Sequence, residues 1–330
     1  MSTTAFTVEP ALVAGIPSII VSGQGVTCSI ALRGATLLSW ISHGDEVIDG
    51  YLDADELEDQ DGVRSGVLVP FAGRVRDARY EFGRIIHDLL PDETDRTVFH
   101  GFVREVDFEL ESVTHLTGAV RVQFVARTNG IDHPGYPFPL RTQAEYEIRE
   151  DGVTLDLAVT NLGKTDAPVT LGWHPYFTVP SASSVNELRL VLPASSTLPT
   201  DADLLPLHEP RTVAIADSAL DIRESTIIGS AALDACFTDL HRTGSRFETL
   251  VSGPGGEQLT VWQTSGEIYV YTGDRLDRDA RRCLAIQPIS HVPDAFNDST
   301  LHTEIALSGG LTRTFTCGFD YARGGQAQTG

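Results

Sequence analysis

Val153-Thr154-Leu155-Asp156-Leu157-Ala158-Val159-Thr160 is the stretch whose reading decides the fold, because Val153, Leu155, Leu157 and Val159 stand at every second position. Side chains alternate across an extended chain, so these four share one face while Thr154, Asp156 and Thr160 share the other. That is the pattern of a half-buried antiparallel strand. Residues 121–127 repeat it, with Val122, Phe124 and Ala126 on one side and Arg121, Gln123 and Arg127 on the other. Working outward, Ile19-Ile20-Val21, Thr27-Cys28-Ser29-Ile30, Thr36-Leu37-Leu38-Ser39-Trp40, Ile268-Tyr269-Val270-Tyr271-Thr272 and Cys283-Leu284-Ala285-Ile286 are apolar runs of strand length. The acidic run at residues 53–61 reads as a solvated loop or short surface helix. Residues 180–230 read as loops between short strands. No segment sustains helical periodicity, no repeat has a fixed period, and no linker is evident. The expectation is an all-β sandwich or barrel of many antiparallel strands, a single domain over residues 1–330 with a loose tail at 324–330.

A chain of 330 residues with 41% hydrophobic residues can bury a large core. Its formal charge of -22, from 46 acidic and 24 basic residues, argues against nucleic acid or an anionic membrane as partner. Neutral ligands fit better. Lysine occurs once, at Lys164, so arginine carries nearly all the positive charge. Cys28, Cys236, Cys283 and Cys317 lack metal-site spacing and read as free, buried thiols. The opening Met-Ser-Thr-Thr-Ala-Phe has no basic region followed by an apolar run, and no apolar stretch has bilayer-spanning length, so the expected compartment is the cytoplasm.

Chemistry concentrates in Leu171-Gly172-Trp173-His174-Pro175-Tyr176-Phe177. A histidine titrates near neutral pH and aromatic rings offer apolar faces with polar tips, so His174 flanked by Trp173 and Tyr176 has the makeup of a ligand site. A hydrogen-bonded core histidine among aromatics reads the same way from this stretch alone. In Val67-Leu68-Val69-Pro70-Phe71-Ala72-Gly73-Arg74-Val75-Arg76, an extended backbone would put Arg74 and Arg76 on one face. There they could hold sugar hydroxyls or a phosphate, or pair with surface acids. In Phe99-His100-Gly101, the glycine permits a turn that leaves the His100 imidazole accessible.

Taken in order, Gly34-Ala35, the residues from Pro70 to Tyr80, His100-Gly101, Tyr136-Pro137, the residues from Trp173 to Phe177, Asp234 and the residues from Cys283 to Asn297 resemble the aldose 1-epimerase (galactose mutarotase) family. The resemblance covers most of the chain and implies a large antiparallel β-sandwich, the galactose mutarotase-like supersandwich, with a sugar site. It implies an isomerase of carbohydrate metabolism that opens a sugar ring by acid and base, rotates C1 and recloses it as the other anomer, without metal or organic cofactor. His174 matches the family acid, and Arg74, His100 and Asp234 match positions that hold sugar hydroxyls. The family base is a glutamate, and the matching residue here is Gln287. A carboxamide can hydrogen-bond a hydroxyl but takes no proton at neutral pH. Asp234, His291 or Asp294 could stand in, the latter two reading more naturally as turn residues. Many members carry asparagine where this chain has Gly73. The alternatives are a carbohydrate-binding protein without turnover, and a diverged epimerase for a phosphorylated or modified sugar held by Arg74, Arg76, Arg79, Arg84 and Arg104. A metal hydrolase built on His100, His174 and Asp234 has no support in their spacing. Which sugar binds, and whether the chain self-associates, are not legible.

Overall fold

In a computed structural model, which describes residues 6–91, 93–133, 135–207, 209 and 211–325, the opening stretch runs as the strand Gly152–Asn161. Val153, Leu155, Leu157 and Val159 are all buried. Leu140–Arg149 pairs along one edge, placing Tyr146 opposite Leu155, and Thr312–Ala322 along the other, placing Cys317 opposite Leu155. In this ten-stranded antiparallel sheet Leu140–Arg149 alternates in the same way, because one face meets the core and the other meets water, whereas the edge strand Glu109–Leu116 is exposed throughout. The order runs Thr226–Ile227, Arg189–Val191, Arg246–Ser252, Gln258–Gln263, Thr312–Ala322, Gly152–Asn161, Leu140–Arg149, Ala119–Thr128 and Glu109–Leu116, with Arg242–Thr243 beside Arg246–Ser252.

A second sheet of eight strands lies across the core. Its order is Val213–Ala214, Ala194–Thr197, Asp234–Leu240, Glu267–Tyr271, Leu284–Ile289, Gly172–His174 and Gly66–Leu68, with Tyr176–Phe177 also on Leu284–Ile289. The two layers meet through aromatic rings. Trp173 stacks on Phe319 at 6.4 Å between centroids and meets Tyr146 edge-on at 6.5 Å, while Phe177 meets Phe319 at 5.4 Å. A five-stranded antiparallel sheet, from Thr7–Val13 to Asp45–Glu46, caps one side and sends Trp40 edge-on to Phe319 at 5.2 Å. The fold is therefore the expected antiparallel β-sandwich. The acidic run is a short helix, Ala54–Asp59, whose first turn is capped by the Asp53 carboxylate accepting from the Glu56 N–H. All four cysteines are free and buried.

No helix among the described residues is long and apolar enough to cross a membrane. Residues 1–5, which open the N-terminal stretch read above, and residues 326–330 of the expected loose tail lie outside the described residues.

Candidate functional site

The site follows from strand alternation in the eight-stranded sheet. Gly172–His174 is a three-residue strand whose residues are all buried. Trp173 points into the sandwich, where its indole N–H donates to the Ser65 carbonyl at 3.2 Å. His174, one residue on, points to the opposite face and lines a cavity of about 290 Å³, near the lower end of the roughly 300–1,000 Å³ usual for small-ligand sites. On the neighbouring strands Gln287 and Ile289, Tyr269 and Tyr271, and Asp234 line the same cavity, and Tyr176 joins them after the turn at Pro175. Gly73, Arg74, Phe99 and His100 close one side; Gln60, Asp61, Gly62, Val63, Arg275 and Leu276 close another.

Of the residues singled out by sequence, His174, Gln287, Arg74, His100, Asp234 and Tyr176 thus share one cavity. Trp173 does not reach it. The period of two that turns His174 toward the ligand space turns Trp173 into the core, so its place is interlayer packing, not the cavity wall. Arg76 also leaves the group: it starts a 3₁₀ turn and pairs with Asp201 at 3.1 Å and Asp294 at 3.6 Å. Arg79 pairs with Asp88 at 2.9 Å, Arg104 with Glu105 at 2.5 Å, and Arg84 is exposed. Among the five arginines considered for a phosphate, only Arg74 lines the cavity, joined there by Arg275.

The two histidines are set by different means. His100 and Gly101 both adopt left-handed backbone angles, with φ of 64° and 65°, and a Cβ on Gly101 would stand 2.1 Å from the Val69 carbonyl oxygen. Only glycine fits there. The turn is tied by the His100 N–H donating to the Gly73 carbonyl at 2.8 Å, while the Gly73 N–H donates to His100 Nδ1 at 3.1 Å. With Nδ1 accepting, the proton of the neutral ring sits on Nε2. Burial first, then the neighbouring His174, Arg104 and Arg74, holds the His100 pKa well below the usual range.

His174 lies edge-to-face with His100 at 5.0 Å and stacks on Tyr176 at 5.0 Å. Its buried Nδ1 meets no hydrogen-bonding partner among the described residues. Burial, with the Arg64 and Arg104 charges adding to it, pushes its pKa down to about 3. Arg64 is itself fully buried behind the Tyr176 ring, 5.2 Å from its centroid, and is paired with Asp49 and, at 3.5 Å, with Asp61.

Asp234 accepts a 2.8 Å hydrogen bond from the Tyr269 hydroxyl. Burial raises its carboxyl above the usual range, against the lowering effect of Tyr269 and Arg74. The other two possible stand-ins for the base face elsewhere. His291 sits against the Ser290 hydroxyl at 2.8 Å and Glu304 at 3.5 Å, and the Asp294 carboxylate accepts from the Arg76 N–H at 2.9 Å and from Asn297 at 2.7 Å. Both are turn residues, as read. Among the described residues, no three His, Cys, Asp or Glu side chains converge closely enough to hold a metal ion.

Gly73 has a physical reason in this chain. Its φ is +83°, and a Cβ would stand 2.7 Å from Pro293 Cβ and 2.9 Å from its Cα. Pro293 occupies the space that an asparagine side chain would need.

Sequence reading passed over Asp61, Tyr269, Tyr271, Arg275 and Leu276. The tyrosines carried a signal: in Ile268-Tyr269-Val270-Tyr271 they are two apart and share a face. Asp61 opens the 3₁₀ turn Asp61–Val63 and Arg275 and Leu276 come from a loop, and none of these carried a signal.

The family model for aldose 1-epimerase matches residues 18–320 of the chain. The chain is 26% identical over 237 residues to the Escherichia coli K12 protein YihR, covering 70% of this chain and 71% of that one. Its fold is similar to that of galactose 1-epimerase from Lactobacillus acidophilus NCFM, with a TM-score of 0.81 at 18% identity over 97% of this chain and 99% of that one. A galactose mutarotase-like protein from Clostridium acetobutylicum gives a TM-score of 0.83 at 14% identity, covering 98% and 100%.

Proposed function

On the premise that the chain belongs to the aldose 1-epimerase family, we propose that it interconverts the α and β anomers of a free sugar in the cavity floored by His174. The observation that carries this reading is the convergence of His174, His100, Arg74, Asp234, Tyr176 and Gln287, from five separate parts of the chain, on one small cavity. Ring opening moves two protons: one leaves the C1 hydroxyl and one arrives at the ring oxygen. His174 is assigned to the ring oxygen, its imidazole lining the cavity and its plane stacked on Tyr176. His100, as an Nε2–H donor, and Arg74 are assigned to the sugar hydroxyls, with Asp234 as their counterpart for hydroxyl donors. Gln287 occupies the position of the family base and orients the C1 hydroxyl. The reading calls for no metal or organic cofactor.

Anomer equilibration, followed by polarimetry or NMR across a panel of aldoses, tests this for the chain and for Gln287→Glu. The reading expects acceleration over the spontaneous rate, larger for the glutamate variant. No acceleration by either form on any common aldose sinks it. The carboxamide at position 287 favours a second reading, a sugar-binding protein without turnover. Calorimetric sugar binding that persists while neither form catalyses supports that second reading.

A further inference from the structure

A working mutarotase needs a proton acceptor near the C1 hydroxyl, and Gln287 cannot be one. The cavity wall beside it supplies an alternative. Tyr269 is the cross-strand partner of Gln287, so the two side chains rise from the same face about 5 Å apart at Cβ. The Tyr269 hydroxyl in turn donates to Asp234 at 2.8 Å, and Asp234 pairs in register with Tyr271 on the same strand as Tyr269. All three side chains line the cavity. The other carboxylate in the lining, Asp61, is engaged with the buried guanidinium of Arg64 at 3.5 Å.

Resting on the mutarotase reading above, we propose that Tyr269 and Asp234 form a two-member proton relay that takes the place of the carboxylate absent at position 287. In the opening step the C1 hydroxyl gives its proton to the Tyr269 oxygen as Tyr269 gives its own to Asp234. The C1–OH oxygen becomes the carbonyl oxygen, the bond from C1 to the ring oxygen breaks, and that oxygen takes a proton from the His174 imidazolium. After C1 turns, the new ring hydroxyl returns its proton to His174 as it attacks C1. The carbonyl oxygen recovers a proton from Tyr269, which recovers its own from Asp234. Nothing is consumed.

The electrostatics suit the arrangement. Burial, and then Asp234, holds the Tyr269 phenol in its protonated form, while burial makes Asp234 a better acceptor than an exposed carboxylate. The charged groups facing Asp234 are Arg74, Arg275 and Asp274.

The test measures kcat and KM for anomer exchange in the full chain and its variants, each first checked for folding by thermal melting. Tyr269→Phe keeps the ring and its packing; the relay predicts that it lowers kcat by about 10²- to 10⁴-fold, the usual range for a general base, with KM changed less than about threefold. Asp234→Asn is expected to lower kcat into the same range. Adding Gln287→Glu to either variant restores kcat to within about tenfold of Gln287→Glu alone, because the family position then carries its own acceptor. A Tyr269→Phe variant with wild-type kcat overturns the relay, as does a failure of Gln287→Glu to rescue. Wild-type protein that is inactive while Gln287→Glu turns over also overturns the relay but leaves the mutarotase reading standing. Inactivity of both wild type and Gln287→Glu removes the relay and the mutarotase reading together.

Discussion

At the scale of residues, His174 is governed by the cost of charging a buried ring. Its pKa falls to about 3 from an ordinary 6.5, and that of His100 falls in the same direction. A folded-state pKa below the unfolded one means that the unfolded chain binds more protons between the two values. Stability is then fully present above about pH 6.5 and is lost as pH falls toward 3. Each such ring contributes a slope of up to about 1.4 kcal/mol per pH unit. Urea unfolding at pH 7, 6 and 5 is expected to show this decline, and His174→Asn to lessen it; a flat profile in the wild-type protein contradicts the burial argument. The same pKa makes the proton-donating form of His174 a minority at neutral pH. A carboxylate at position 287 stabilises the imidazolium by opposite charge, so Gln287→Glu is expected to raise the His174 pKa in an NMR titration. An unchanged titration would place the two groups out of electrostatic reach.

At the scale of elements, the three-residue strand Gly172–His174 divides two tasks by alternation. The aromatic stretch around His174 read as one ligand site because composition clusters there, whereas the period of two sends Trp173 to the opposite face. That split was legible in principle, but Pro175 breaks the strand and leaves too few residues for a periodic pattern. Trp173 carries interlayer packing against Phe319 and Tyr146. Trp173→Ala is therefore expected to cost about 3–5 kcal/mol of stability in denaturant unfolding, against less than about 1 kcal/mol if it were a cavity-wall residue. The turn before Arg74 is a second case. Gly73→Asn, although it restores the residue common in the family, forces a Cβ against Pro293. It is expected to lower stability by roughly 1–3 kcal/mol rather than to improve sugar binding, and a stable variant with tighter binding would contradict the packing argument.

At the scale of the whole molecule, strand identity was legible because alternation is local, while strand partnership was not. Thr312–Ala322 lies between Gly152–Asn161 and Gln258–Gln263, and nothing within any one of these segments names its partners. The same holds for the site. His174, Arg74, His100, Asp234 and Gln287 were reachable through the order of short motifs, since each sits in a recognisable run. Tyr269, Arg275 and Asp61 reach the cavity only because the sheet order, a loop and the 3₁₀ turn Asp61–Val63 bring them there. Global charge bears on the ligand as well. A field set by a net charge of -22 exerts no net force on a neutral sugar, so hexose affinity is expected to vary less than about twofold between low and moderate salt; a steep salt dependence would point to a charged ligand.

The most direct measurement of the central claim is anomer exchange in a freshly dissolved aldose, followed by NMR with catalytic amounts of wild-type protein, Gln287→Glu and His174→Ala. The account predicts exchange faster than the spontaneous rate for wild type, faster still for Gln287→Glu, and a loss of about 10²-fold or more for His174→Ala. Exchange at the spontaneous rate with both wild type and Gln287→Glu, or full activity without the His174 imidazole, would contradict it.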